Sequence, residues 1–383
     1  MKNILMICYA VDAVGGGSAV GVWALEALKE QGYQVTVLVP REPDLKATAE
    51  AFGTNFGQAD FNWIAMPAVV QRLLSVSPIP LALLQQHLMA RHAQKLIGRN
   101  RYDVIVSMIG EVEVGAHAIQ YVHYPWAKYP RPDADYKWYH FKPLLLLYRS
   151  TCAKISGYKR ESAARNETLV NSAWTKQFYA DWYQASARVL YPPVPGGFPD
   201  VSPENRDLAF VSLGRLAPEK ELEKTIAILE RVRELGFDVK YRIVGVASME
   251  AYAESLYELA KDKGDWISFH LSTPRDEMVR LVAACRFGIH GMVGEHFGIA
   301  PAELQRAGCI TFVPHDGGPI EIVDGDERVI YRSVEEGAEK IARVLGDRNL
   351  EKAIRRDVAE RAERFSEERF MAEFRSIIKG FAA

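Results

Sequence analysis

A strand–helix alternation that runs, stops and starts again constrains this chain more than any other feature. "NILMICYA" is a continuous apolar run, "VGVWALEALKEQG" has helical periodicity and ends at Gly32, and "QVTVLVP" is apolar again. "YDVIVSMI", "AIQYVHYP" and "ETLVNSAWTKQFYADWY" continue the series. Unbroken apolar runs belong to strands buried on both faces, and strands separated by helices pair in parallel. "VLYPPVPGGFPDVSPENRD" then interrupts the pattern with Pro and Gly, as a linker does. Beyond it the alternation restarts. "LAFVSLGRL", "DVKYRIVGV", "WISFHLS", "FGIHGMV" and "CITFVPH" read as strands, with "EKTIAILERVRELG", "MEAYAESLYELAKDKG", "RDEMVRLVAAC" and "PAELQRAG" as helices. The expectation is an α/β protein of two Rossmann-like domains, residues 1–195 and 196–365, with parallel sheets facing across a cleft. The charge-rich end reads as two helices broken near Phe365–Ser366.

Length supports two domains: the chain has 383 residues. Its net charge of −2 gives no reason to expect nucleic acid. The charge is uneven, with 20 Lys and Arg against 15 Asp and Glu up to Pro195, and 27 against 34 after it. The two halves are therefore expected to face different partners. Cys8, Cys152, Cys285 and Cys309 form no C-x-x-C pair, which fits reduced core thiols and a cytoplasmic location. "MKNILMICYA" leads into a Gly-rich turn and reads as a first buried strand rather than a signal peptide. No apolar run reaches the length of a membrane span.

Ligands of open α/β sheets bind beyond the carboxyl ends of the strands, so the stretches that follow the strands are the candidate binding segments. "AVGGGSAVG", with Gly15, Gly16 and Gly17, joins the first strand to the first helix. It is either a tight turn or a place where backbone approaches a phosphate at a helix N-terminus. Counting from Gly15, the sixth position is Val20, so the dinucleotide fingerprint fails and a dehydrogenase is disfavoured. "GRLAPEKELEKTI" places Gly214, Arg215 and Lys220 between a strand and a helix. The two cations suit a diphosphate, or else form a solvated basic pair; a cation at a helix start asks for an anion.

"GEHFGIAPAELQRAG" carries Glu295 before the turn His296–Phe297–Gly298–Ile299, and Glu303 on the helix that follows. Pro301 suits the first helical turn and Gly308 the stop. A carboxylate accepts hydrogen bonds from vicinal hydroxyls. One glutamate can therefore hold a sugar at the turn and the other a ribose behind it; the bland alternative is a solvated helix surface. His123 in "QYVHYPW" ends a strand and is either a packed surface residue or a hydrogen-bond donor to a sugar hydroxyl or phosphate.

The Arg215/Lys220 stretch, the Glu295-to-Glu303 spacing and "GGPIEIV" from Gly317 resemble glycosyltransferase family 4, retaining enzymes of the GT-B fold. The likeness covers nearly the whole chain and is most specific from Leu213 to Val323. It implies that Arg215 and Lys220 bind the nucleotide diphosphate, that Glu295 and its turn bind the donor sugar, and that Glu303 binds ribose. It also implies that the glycine loop approaches donor or acceptor, that His123 lies near the transferred sugar, and that the last helix, 366–383, crosses back to the first domain. "YVHYP", "VNSAWT", "YPPV" and "ISFHL" resemble one branch of that family, the GDP-mannose-dependent α-1,2-mannosyltransferases of lipid-linked oligosaccharide assembly. This chain departs from them with "HGMVGEHF", where a Trp-Asn pair usually precedes the glutamate, and it is expected to lack their N-terminal membrane anchor.

Asp133–Asp135 and Asp324–Asp326 are D-x-D patterns, which read as turn formers rather than metal ligands. No cofactor and no metal are expected, with the two cations serving instead. The resemblance gives Glu295 a hydroxyl-binding role, so retention is expected through same-face attack.

From Phe61 to Tyr102 there is no Asp or Glu, yet Arg72, Arg91, Lys95, Arg99 and Arg101 are present. Such basic, apolar helices suit an anionic bilayer, or are ordinary helices with a basic outer face. From Tyr121 to Phe141, 8 of 21 residues are aromatic, against 10% overall. The expected partners are a nucleotide-diphosphate sugar and a glycan or lipid-linked acceptor, at a cytoplasmic or peripheral membrane location. A family 4 enzyme using a UDP-sugar and a small acceptor, and a catalytically silent nucleotide-sugar-binding protein, are the alternatives.

Overall fold

The computed structural model describes residues 2–9, 11–12, 16–77, 81–126 and 141–381. The chain divides into two units, Met1–Pro193 with Glu367–Ala383, and Val194–Ser366.

The first unit runs β1 (Asn3–Ile7), α1 (Gly16–Lys29), β2 (Gln34–Val39), α2 (Leu45–Phe52), β3 (Asn62–Ala65), α3 (Ala68–Ser75), α4 (Ala82–Ile97), β4 (Val104–Ser107), β5 (Ile119–Val122), α5 (Lys142–Ser156), α6 (Arg160–Ala163), β6 (Glu167–Val170), α7 (Ala173–Tyr183) and β7 (Arg188–Val189). The strands lie in the order β3-β2-β1-β4-β5-β6-β7, and every pairing is parallel. Alternate residues of β1 feed opposite faces, as a pleated strand requires. Ile4 and Met6 join the core under α1, while Leu5 and Ile7 join a second core with Met89 of α4. Side-chain caps set helix starts where the sequence offers them. Asp44 accepts from Lys46 N and Ala47 N at 3.1 Å, and Ser172 accepts from Thr175 N at 2.9 Å.

The second unit runs β8 (Asp207–Leu216), α8 (Leu222–Glu234), β9 (Lys240–Ala247), α9 (Glu250–Lys261), β10 (Ile267–Leu271), α10 (Arg275–Ala283), β11 (Cys285–Ile289), α11 (Ile299–Arg306), β12 (Ile310–Pro314), α12 (Pro319–Ile322), β13 (Ile330–Tyr331), α13 (Val334–Gly346) and α14 (Arg348–Arg361). Its strand order is β10-β9-β8-β11-β12-β13, again parallel throughout. Each sheet is a doubly wound layer. After the break at Phe365–Ser366 the chain enters α15 (Glu367–Phe381), which belongs to the first unit. Phe370, Phe374 and Ile378 complete the core beneath α1, and Arg375 pairs with Glu30.

Three details differ from the sequence reading. The segment 61–102 is not all helical, because Asn62–Ala65 forms the edge strand β3 against β2. Four residues are too few for periodicity to register, and the strand exists through its pairing. "FGIHGMV" is a strand only to Ile289, which leaves His290, Gly291 and Met292 beyond its carboxyl end. β13, α12 and α13 had no counterpart in the sequence reading. Cys8, Cys152, Cys285 and Cys309 are all buried and free.

Candidate functional site

In both sheets the strand order reverses direction beside the first strand of the unit, between β1 and β4 and between β8 and β11. Such a switch point opens a crevice at the carboxyl ends, where the loops on either side diverge. Gly214, Arg215 and Lys220 line a recess at the second of these crevices, and Lys220 reaches Glu295 there.

In the second unit, Gly214 and Arg215 end β8, and a short 3-10 turn, Pro218–Lys220, leads to α8. Lys220 Nζ donates to the Glu295 carboxylate and lies 3.3 Å from Met292 Sδ. His290 Nε2 stands 3.7 Å from the same glutamate oxygen. Both charged side chains are mostly buried, Lys220 being 19% and Glu295 17% exposed. Ser212, Gly214, Arg215, Lys220, His290 and Gly291 line one recess. Arg215 is more open, at 60% exposure, with Nη2 3.2 Å from Glu219 Oε1.

Burial alone would raise the Glu295 carboxyl. The Lys220 charge, with His290 and the hydrogen bond from Lys220, outweighs it and holds the group down at about 2. Burial, helped by the Lys220 charge, pushes His290 down to about 4 against the pull of Glu295. At neutral pH the cluster is thus an ammonium, a carboxylate and a neutral imidazole. The His290 Nε2 is buried and has no hydrogen-bond partner among the described residues. The anion that a helix-entry cation asks for is therefore supplied within the chain.

Two close approaches assemble the cluster. A Cβ on Gly291 would stand 2.6 Å from Lys220 O and 2.7 Å from Glu221 O, so only glycine lets the end of β11 lie on the Lys220 turn. Gly317 has φ +114°, and a Cβ there would be 2.7 Å from Glu295 O. Gly318 N donates to that carbonyl at 2.7 Å. "GGPIEIV" is therefore the strap that holds the Glu295 turn. Gly298, at φ +100°, starts α11, and Ile299 is its first residue. The Phe297 ring points inward, 2% exposed and edge-on to Phe365 at 5.4 Å. Its contribution to a donor site is limited to backbone, because the apolar ring is worth more in the core.

Glu303 does not line the Lys220 recess. Its Oε1 accepts from Arg275 Nη1 at 2.8 Å, and Arg275 also donates to Gly196 O at 3.1 Å. The Glu303 side chain is 13% exposed. Sequence reasoning missed Arg275, although it is a cation at a helix start, the same signal that singled out Lys220. It also missed His290, a histidine at a strand's carboxyl end, the signal that singled out His123.

In the first unit, Gly16 and Gly17 open α1 and His123 follows β5. A Cβ on Gly17 would lie 3.8 Å from His123 Nε2, so the histidine faces the start of the helix. That nitrogen is buried with no partner among the described residues, and burial pushes His123 down to about 4. Gly15 lies outside the described residues, as do Asp133 and Asp135. Asp324 and Asp326 are taken up by arginines: Asp324 pairs with Arg364 at 2.9 Å, and Asp326 with Arg328 at 2.6 Å. Among the described residues no group of three His, Cys, Asp or Glu side chains is placed to hold a metal ion. No described helix is long and apolar enough to cross a membrane.

Residues 198–363 match the family model for glycosyl transferases group 1. The chain is 28% identical over 265 residues to the GDP-Man:Man(3)GlcNAc(2)-PP-Dol alpha-1,2-mannosyltransferase of Dictyostelium discoideum, covering 61% of this chain and 50% of that protein. It is 28% identical over 229 residues to the protein of that description from Xenopus laevis, covering 54% and 47%. The chain thus spans about half the length of the curated relatives it matches. Among solved structures it is similar to Anabaena HepE in complex with UDP and glucose, with a TM-score of 0.68 at 16% identity over 99% of this chain and 100% of that one.

Proposed function

We propose that the protein is a retaining, metal-independent glycosyltransferase that moves mannose from GDP-mannose to a glycan or lipid-linked acceptor, a reading supported by the match of residues 198–363 to the glycosyl transferases group 1 model. The observation that carries this reading is the Lys220–Glu295–His290 cluster at the β8/β11 switch point. A diphosphate entering the recess meets Lys220 and Arg215, which offset its charge in the bound donor and as it leaves. Phosphate and Glu295 then compete for the same ammonium. Once Lys220 turns to the phosphate, the Glu295 carboxylate is free to accept hydrogen bonds from two sugar hydroxyls. Neutral His290 adds a ring nitrogen beside it. Glu303, oriented by Arg275, takes the ribose hydroxyls.

In the first unit, His123 and the amides of Gly16 and Gly17 are assigned to a sugar hydroxyl or phosphate. Burial keeps His123 neutral, so it hydrogen-bonds rather than contributing charge. Because the carboxylate that the donor sugar meets is committed to hydroxyls, the acceptor attacks from the face that the diphosphate leaves. The departing phosphate oxygen takes the acceptor proton.

The relatives' names favour mannose, GDP and a dolichol-linked acceptor. Membrane contact belongs to the same proposal. Arg72, Arg91, Lys95, Arg99 and Arg101 are all exposed, and α3 turns Val69 and Leu73 outward at 75% and 54% exposure. Co-sedimentation with phosphatidylserine vesicles but not with phosphatidylcholine vesicles is expected.

The test of the donor is a thermal-shift comparison of GDP, UDP and their sugars, followed by a turnover assay with GDP-mannose. Stabilisation by the UDP forms alone would replace the donor with a UDP-sugar. Binding without turnover on any acceptor would leave a silent nucleotide-sugar-binding protein.

A further inference from the structure

At the carboxyl end of β4, the first unit holds a recess of about 250 Å³ that the transferase reading does not use. Glu111 and Gln86 both line it. Glu111 is 3% exposed. Its Oε1 accepts from Trp126 N at 3.2 Å and from the Tyr183 hydroxyl at 3.0 Å. Its Oε2 is buried and has no partner among the described residues. Gln86 repeats the arrangement: Nε2 donates to Glu111 O at 2.7 Å, while Oε1 is buried with no partner among the described residues. Buried acceptors are rarely left unpaired. Two of them on one wall call for a ligand that brings hydrogens.

The rest of the wall narrows the class. Trp126 and Trp182 also line the recess, and the C–H face of a sugar packs on such rings. Arg149 and Arg160 bring two guanidiniums to the same recess. Arg149 reaches Trp126 O at 3.5 Å, and Arg160 lies 5.2 Å from the Trp182 ring centre. Planar guanidiniums beside an aromatic wall suit a phosphate and repel an amine. Burial pushes the Glu111 carboxyl up to about 7, against its hydrogen bonds from Tyr183 and Trp126, so near neutrality it can both accept from and donate to hydroxyls.

We propose that this recess binds a glycosyl phosphate, with its hydroxyls on Glu111 and Gln86, its ring on the tryptophans and its phosphate on Arg149 and Arg160. The proposal rests on the transferase reading only for its use, which is to seat the head of the acceptor. The head can come from a free sugar phosphate or from a lipid-linked one. α5, which supplies Arg149, leaves Leu144, Leu146 and Leu147 exposed.

The full chain, saturated with GDP to fill the donor site, is titrated calorimetrically with mannose 1-phosphate and with methyl mannoside. Farnesyl mannosyl phosphate in phosphatidylcholine vesicles is tested by flotation. Mannose 1-phosphate or its farnesyl form is expected to bind. Glu111→Gln is expected to weaken that binding about tenfold, the worth of one charge-assisted hydrogen bond. Arg160→Met is expected to weaken the phosphorylated probes and leave methyl mannoside unaffected. Binding of the vesicle form alone identifies a lipid-linked head, and equal binding a free one. No binding of either phosphorylated probe overturns the proposal, as does unchanged affinity in both variants. If Glu111→Gln does not fold, exposed Arg160 decides alone. Absence of binding of any nucleotide-diphosphate sugar to the unmodified chain would sink the transferase reading while leaving the recess titration interpretable.

Discussion

The Lys220 ammonium donates to the Glu295 carboxylate from the opposite side of the β8/β11 switch point. Without ligand, the group nominated for phosphate and the group nominated for sugar neutralise each other. Donor binding is then an exchange of partners, which makes the two residues separable by experiment.

Glu295→Gln keeps the shape and removes the competitor. Affinity for GDP is expected to rise about tenfold, while transfer from GDP-mannose falls about 100-fold. Calorimetry and a radiolabel transfer assay read the two effects. A parallel fall in both would mean that Glu295 only positions Lys220.

Lys220→Ala takes away the cation. GDP affinity is expected to drop by about 10- to 100-fold. An unchanged affinity would remove Lys220 from the donor site.

Stability should fall on acidification. Burial holds His87, His123 and His290 down at about 4, from an ordinary 6.5. A lowered pKa means that the unfolded chain binds the proton first. Each contribution is therefore complete above 6.5 and lost as pH falls towards 4. Glu295, held at about 2 from 4.5, continues the loss below 4.5. Glu111 opposes them: raised from 4.5 to about 7, its contribution is complete below 4.5 and lost as pH rises through 7. Three groups outweigh one, so the melting temperature should decline from pH 6.5 to 4.5. His290, which faces Lys220 and Glu295, contributes part of that slope. His290→Gln should flatten it, and a profile identical to the parent's would contradict the assignment.

Gly317→Ala puts a Cβ 2.7 Å from Glu295 O at φ +114°. A cost of about 1–3 kcal/mol is expected, with loss of transfer as the Glu295 turn shifts. Gly325, at φ +69° with nothing within 4 Å, is the control. Gly325→Ala should cost about 1 kcal/mol and leave transfer intact. Equal transfer in the two variants would show that the strap does not position Glu295.

Transfer is expected to persist in EDTA, since the proposed function assigns the diphosphate charge to Arg215 and Lys220 rather than to a metal. Abolition by EDTA with rescue by a divalent cation would refute this.

By itself, the sequence determined the two alternating α/β halves, the break at Phe365–Ser366, and the nomination of Gly16, Gly17, His123, Gly214, Arg215, Lys220, Glu295 and Glu303. These are local signals: apolar period, glycine at a turn, a charge at a helix start. Only the tertiary structure decided which charges meet. Lys220 and Glu295 are 75 positions apart and become partners because β8 pairs with β11 rather than with β10. Strand order likewise brought Arg275 to Glu303, and packing against Phe365 turned Phe297 inward. Strand order is set by the summed burial of whole elements, which no short window of residues encodes.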